Sequence, residues 1–246
     1  MIKTSILLPQ RNTADQVAAK LPDLCDTMDR IRSSFEVIVI DDASNTDDVQ
    51  KLNLLLTQMP ALRVIQLDRP LGLSAAVSAG LLAARGQTIV TIEPGDRFPT
   101  CEIENLLDAL RHLDVVFGRP RLSGPQKLWN RFTRIPRWFL LGLETRVLGS
   151  TFWAARSEAL AGIELARGMT RYLGTFASMR GYRIGEIVVE TTGQGKPLAD
   201  SWPNPGDLLC AWWLKQRWRQ FTATELGCEQ AFTLAQATHD ELRKSA

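Results

Sequence analysis

Three stretches of this sequence combine residue types and spacings that could do chemistry. Asp41-Asp42-Ala43-Ser44 follows the β-branched run FEVIVI directly, and Glu93-Pro94-Gly95-Asp96 follows TIVTI. Carboxylates at a strand end can accept hydrogen bonds from a ribose or a base edge. Asp and Ser are equally at home in a turn and at the N-cap of a following helix, so both readings of the first stretch stand. Two carboxylates on one short loop suit Mg²⁺ or Mn²⁺ bridging a diphosphate, because hard cations take oxygen ligands and few of them from protein. Pro-Gly-Asp is also ordinary turn chemistry. The third stretch, 119–137, carries Arg119, Arg121, Lys127, Arg131, Arg134 and Arg137 and no acid. Such a run attracts phosphate groups. The interleaved Trp129, Phe132, Trp138 and Phe139 argue against a purely solvated face.

Other chemistries find no support. Gly72 and Gly80 belong to no phosphate-cradling glycine fingerprint. His112 and His239 have no acid or thiol in register, which speaks against a histidine triad or a zinc site. Cys25, Cys101, Cys210 and Cys228 are scattered, with neither metal-ligand spacing nor a disulfide framework, as expected in a reducing cytoplasm.

The elements that must position these residues alternate. Ser5–Leu8 reads as a buried strand stopping at Pro9. A helix over about 14–31 places Val17, Leu21, Leu24, Met28 and Ile31 on one face. Strands at 35–40, 62–67, 88–92 and 115–117 alternate with helices from Asp47, over 73–85 and near 102–111. That order predicts βαβ units and a parallel sheet, with ligands beyond the carboxyl ends of the strands. The polar loops Pro9–Thr13, Asp41–Asn45, Glu93–Pro99 and Gly118–Gly124 fall at those ends. Beyond 118 the pattern predicts basic amphipathic helix over 126–147, strands near 150–155 and 182–190, and a helix over 169–181. A Gly/Pro-rich loop follows over 191–206, then helices at 207–221 and 224–243.

Charge divides along the same line. The chain of 246 residues has 29 basic and 27 acidic side chains, but 1–118 holds 11 basic against 16 acidic and 119–246 holds 18 against 11. All seven tryptophans fall in the second part, and Trp212, Trp213 and Trp218 lie among Lys215, Arg217 and Arg219, a mixture suited to a lipid interface or to packing on the domain. A transmembrane span is not expected: the most apolar run, Trp138–Leu143, is six residues flanked by Arg137 and Glu144. The start Met1-Ile2-Lys3 leads straight into a strand pattern, so no secretory signal is expected, and the near-zero net charge speaks against a nucleic-acid module.

Order and spacing together resemble a known family. SILLPQRN, FEVIVIDDASNTD and LGLSAAVSAGLLAARGQTIVTIEPGDRFP are similar to the nucleotide-sugar domain of the family-2 glycosyltransferases, above all those of the polyprenol-phosphate, dolichol-phosphate mannose synthase type. Gly118-Arg119, Ser150-Thr151-Phe152, Arg180–Arg183 and Gly193–Lys196 follow in the family's order. The resemblance implies an α/β chain with the GT-A fold, a mostly parallel sheet flanked by helices. It implies a domain over 1–205, with a nucleotide-binding half 1–118 and an acceptor half 119–205, before an amphipathic helical extension over 206–246. It implies that Pro9, Arg11, Asp41 and Asp42 line the nucleotide pocket, with Glu93 beside them. Glu93 and Asp96 would hold Mg²⁺ or Mn²⁺, and Arg119, Arg131 and Lys196 would grip phosphates, with Asp96, Arg119 and Lys196 the catalytic candidates. The implied partners are a GDP- or UDP-linked sugar donor, a polyprenyl-phosphate acceptor and the inner membrane surface, reached by a peripheral cytoplasmic protein. Rival readings are a saccharide acceptor and an inactive, nucleotide-binding scaffold. Four positions depart from the family pattern: Glu93 and Gly95 stand where metal-loop aspartates are usual, and Thr13 and Val147 replace acids.

Overall fold

A computed structural model of the chain describes residues 2–59, 61–121, 150–163, 165, 168–192 and 213. Their centre is one sheet of seven strands in the order β3-β2-β1-β4-β6-β5-β7. These are Thr4–Gln10 (β1), Phe35–Asp41 (β2), Leu62–Gln66 (β3), Thr88–Thr91 (β4), Val115–Pro120 (β5), Trp153–Arg156 (β6) and Ile184–Val189 (β7). All pairings are parallel except those of β6, which runs antiparallel between β4 and β5. The carboxyl ends of the other six strands therefore meet along one edge, and β6 begins at that edge.

The strands read as continuous apolar runs because both faces of the sheet are covered. Ile6, Leu8, Val37 and Val39 face one layer, and Leu7, Ile38 and Ile40 the other. The first layer holds Ala14–Ile31 (α1), Thr46–Gln58 (α2) and Glu102–Ala109 (α4), with Val17, Leu21, Leu24 and Met28 of α1 at helical spacing against the sheet. The second holds Leu73–Ala83 (α3), Ser157–Leu160 (α5) and Leu173–Met179 (α6), the last entered through a 3₁₀ turn at Met169–Tyr172. α3 lies close on the sheet at Gly80, where a Cβ would stand 2.9 Å from Ile40 Cδ1. Trp153 is fully buried in the second layer, so this indole is core.

β1 does not stop at Pro9; it runs through it to Gln10, with Pro9 opposite Ile40. Even-numbered β1 residues bond toward β2, as the Asp42 N–H does to the Gln10 carbonyl (2.9 Å), and odd-numbered ones toward β4, as Ile92 N–H does to Leu7 (3.1 Å). Pairing with β4 ends at Leu7, so the N–H that proline lacks would face a side where the neighbouring strand has already finished. Residues 126–147 and 193–212, together with 214–246, lie outside the described residues, and with them Arg131, Val147, Lys196 and the expected C-terminal extension. Among the described residues no helix is long and apolar enough to cross a membrane.

Candidate functional site

The carboxyl edge of the sheet collects the residues singled out above. Pro9 is buried in β1, and Arg11 is exposed just past its end. Asp41 closes β2, Glu93 to Asp96 follow β4, and Arg119 lies near the end of β5. β5 is two strands from β4, roughly 10 Å at ordinary strand spacing.

Asp41 and Asp42 are buried, 1% and 7% exposed, so neither carboxylate stands open to solvent. Gln10 Nε2 donates to Asp41 Oδ1 at 2.6 Å and to Ser44 Oγ at 3.1 Å, and the Ser44 hydroxyl and amide also donate to Asp41. Asn12 N–H donates to Ser44 Oγ (2.8 Å), and Asn45 N–H to Asn12 Oδ1 (2.9 Å). This knot joins the β1 and β2 loops and holds two non-glycine residues in the left-handed region, Asn12 and Ala43, both at φ 54°. Such backbone costs of order 1–3 kcal/mol and persists where surrounding bonds over-determine it. Asp42 does a parallel job for a third loop: its carboxylate accepts the N–H groups of Leu71 (2.7 Å) and Gly72 (2.9 Å), where Gly72, at φ 89°, turns the chain into α3. The N-cap of α2 is Asn45, whose Oδ1 accepts from Asp48 N–H (2.9 Å).

The acidic loop is tied on two sides. Asp96 Oδ2 accepts from the Thr151 hydroxyl (2.7 Å), just before β6, and from the Glu93 N–H (3.2 Å). From α1, Lys20 Nζ donates to the backbone carbonyls of Glu93 (2.9 Å), Pro94 (3.3 Å) and Asp96 (3.5 Å). Burial pushes the Lys20 ammonium below the ordinary lysine value, against the opposing pull of the Asp96 and Glu93 charges. A groove of about 530 Å³ opens beside it, lined by Gln16, Lys20, Asp23, Thr27, Asp96 and Thr100 among others. Across the sheet, Arg119 Nε lies 3.6 Å from Glu186 Oε2 of β7, and both side chains are largely buried.

The donor set of the loop is all oxygen and offers two carboxylates, which fits Mg²⁺ or Mn²⁺ in their usual mode of one or two carboxylates completed by substrate phosphates. No group of three His, Cys, Asp or Glu among the described residues could hold a metal by itself. The residues thus fit a cation that arrives with a diphosphate.

Lys20, Thr151 and Gln10 are the contributions that sequence reasoning missed. Thr151 stood within a quoted segment without a role. Lys20 offered only its place one turn after Gln16 on the predicted α1, with partners 73 to 76 residues away.

Comparison with known proteins agrees with this architecture. Residues 5–180 match the family model for glycosyl transferase family 2. A dodecaprenyl-phosphate galacturonate synthase of Rhizobium johnstonii is 26% identical over 200 residues, covering 76% of this chain and 58% of that protein. A dolichol-phosphate mannosyltransferase of Pyrococcus furiosus is 24% identical over 177 residues, 67% of this chain and 49% of that one. The chain spans about half the length of the curated relatives it matches. Among solved structures, a mannosyltransferase from Pyrobaculum calidifontis in complex with GDP-Man and Mn²⁺ superposes with a TM-score of 0.61 at 19% identity, covering 87% of this chain and 60% of that one. Glucosyl-3-phosphoglycerate synthase from Mycobacterium tuberculosis, in complex with Mn²⁺, UDP and glucosyl-3-phosphoglycerate, gives 0.57 at 18%, covering 81% of this chain and 74% of that one. These likenesses identify the fold as GT-A. With the family model matched over most of its length, the chain belongs to glycosyl transferase family 2.

Proposed function

We propose that this glycosyltransferase moves a sugar from a GDP- or UDP-linked donor to a polyprenyl phosphate at a membrane surface, by single displacement. The observation that carries the reading is the shared edge: acidic loop, nucleotide-side knot and Arg119 all stand at the carboxyl ends of β1, β2, β4 and β5. The Rhizobium and Pyrococcus relatives, a dodecaprenyl-phosphate galacturonate synthase and a dolichol-phosphate mannosyltransferase, support the acceptor class.

On this reading Pro9, Arg11, Asp41 and Asp42 line the nucleotide pocket. The two aspartates act through the loops they order, since their oxygens already accept from Gln10, Ser44, Leu71 and Gly72. Glu93 and Asp96 would hold Mg²⁺ or Mn²⁺, which when bound neutralises charge on the leaving diphosphate. Arg119, with Arg131 and Lys196, supplies further cationic stabilisation for phosphate oxygens. A phosphate monoester has a second pKa of roughly 6 and is mostly ionised at neutral pH, so the attacking oxygen needs no strong general base. The Trp- and Arg-rich stretch after residue 119 would meet the lipid surface. Gly95, together with an Asp96 oxygen already engaged by Thr151, favours one second reading, a relative that binds nucleotide without transferring sugar.

The test is a panel of labelled nucleotide sugars offered with Mn²⁺ and either short polyprenyl phosphates or oligosaccharides. Label moving into the organic phase with the prenyl phosphate supports the proposal. Label on saccharides alone, or on nothing, overturns it.

A further inference from the structure

Lys20 belongs to none of the roles above, yet its ammonium lies against the acidic loop. An ammonium has three donors. The three backbone oxygens within reach belong to Glu93, Pro94 and Asp96, at 2.9, 3.3 and 3.5 Å. The loop also closes on itself, Asp96 N–H to the Glu93 carbonyl (3.1 Å) and Glu93 N–H to Asp96 Oδ2 (3.2 Å), and Thr151 anchors the same oxygen from the strand side. Gln16, one turn before Lys20, stands over Gly95, its Oε1 2.8 Å from where a Cβ would be. The helix thus grips the backbone of the loop through four residues of chain, Glu93 to Asp96, that offer a cation two carboxylates.

We propose that Lys20 is a positioning residue that sets the acidic loop in its binding shape before cation and nucleotide arrive. The inference rests on the donor-binding reading above. Loss of Lys20 would leave loop ordering to the incoming cation and diphosphate, and a site that is competent only part of the time binds more weakly in proportion to that fraction. Electrostatics alone predicts the opposite: removing a positive charge beside Glu93 and Asp96 should tighten cation binding. The sign of the effect therefore separates positioning from simple charge balance.

The experiment titrates Mn²⁺ at fixed UDP or GDP by calorimetry on the full chain, for wild type, K20M and K20R, with thermal unfolding to verify folding. In K20M the Mn²⁺ concentration for half-maximal nucleotide binding should rise about tenfold, and in K20R, which keeps donors for the carbonyls, by about threefold. An unchanged or lowered value in folded K20M overturns the proposal, even if its melting temperature falls. Should K20M fail to fold, K20R decides: a rise supports the proposal and no change overturns it. A wild-type chain that binds neither nucleotide removes the donor-binding reading itself, and this inference with it.

Discussion

Thr151 and Lys20 hold the Glu93–Asp96 loop from two different elements, one through a side-chain oxygen and the other through backbone carbonyls. Between them sits Gly95, where the loop lacks a carboxylate. A Cβ there meets only the amide end of Gln16, Oε1 at 2.8 Å and Cδ at 3.7 Å, the far end of a flexible side chain, and the backbone is not in the left-handed region. Gly95→Asp should therefore be accommodated by a rotation of Gln16. It should lower the Mn²⁺ concentration needed for UDP or GDP binding about tenfold, the equivalent of about 1.4 kcal/mol for an added charge-assisted ligand; calorimetry against wild type checks it. At this scale the sequence makes residue types legible and partners illegible. Asp41, Asp42 and Asp96 are recognisable as strand-end acids. Their acceptor bonds come from Ser44, three residues away, but also from Gln10, Leu71 and Thr151, which lie 29 to 55 residues away and which no local pattern links to them.

Strand and helix identities were legible because two-faced burial and helical spacing leave strong periodic signals, as in FEVIVI and in Val17, Leu21, Leu24 and Met28. The end of β1 was not, because tolerance of Pro9 depends on where β4 stops, a fact of sheet register. Register also explains a second feature hidden in the sequence. At the sheet edge opposite the site, Glu36 of β2 accepts from Ser5 Oγ (2.6 Å), Arg63 Nη1 (2.7 Å) and Arg85 N–H (2.8 Å). Burial pushes its carboxyl up, but these bonds outweigh it and hold the folded-state value below the ordinary one. The unfolded chain then binds the proton more readily than the folded one, so stability rises with pH across this window. The contribution should be fully present above about pH 4.3, the ordinary glutamate value, and should drain away as pH falls through the lower folded value. Glu36→Gln should cost about 2 kcal/mol at pH 7, the scale of lost hydrogen bonds to a charged group. It should also flatten the acid limb of the stability curve, read from urea unfolding at pH 7, 5, 4 and 3.

Across the whole molecule, the charge division in the sequence does not mark two separate bodies among the described residues. β6 and β7, from the basic part, complete the sheet begun by the acidic part, and β6 inserts between β4 and β5. That insertion brings Thr151 to Asp96 and sets Arg119 on the same edge as the acidic loop. A parallel sheet was foreseeable from the alternation of elements; the reversed β6 was not, since strand order depends on long-range pairing that periodicity does not carry. The central claim is transfer to a phosphate-bearing lipid. Its most direct measurement follows nucleoside diphosphate release from the nucleotide sugar with and without polyprenyl phosphate, with the lipid product weighed by mass spectrometry. The expected result is release that depends on the prenyl phosphate and matches glycosyl-phosphoprenol one for one. Release that ignores the lipid phosphate, or no release with any donor, would contradict it.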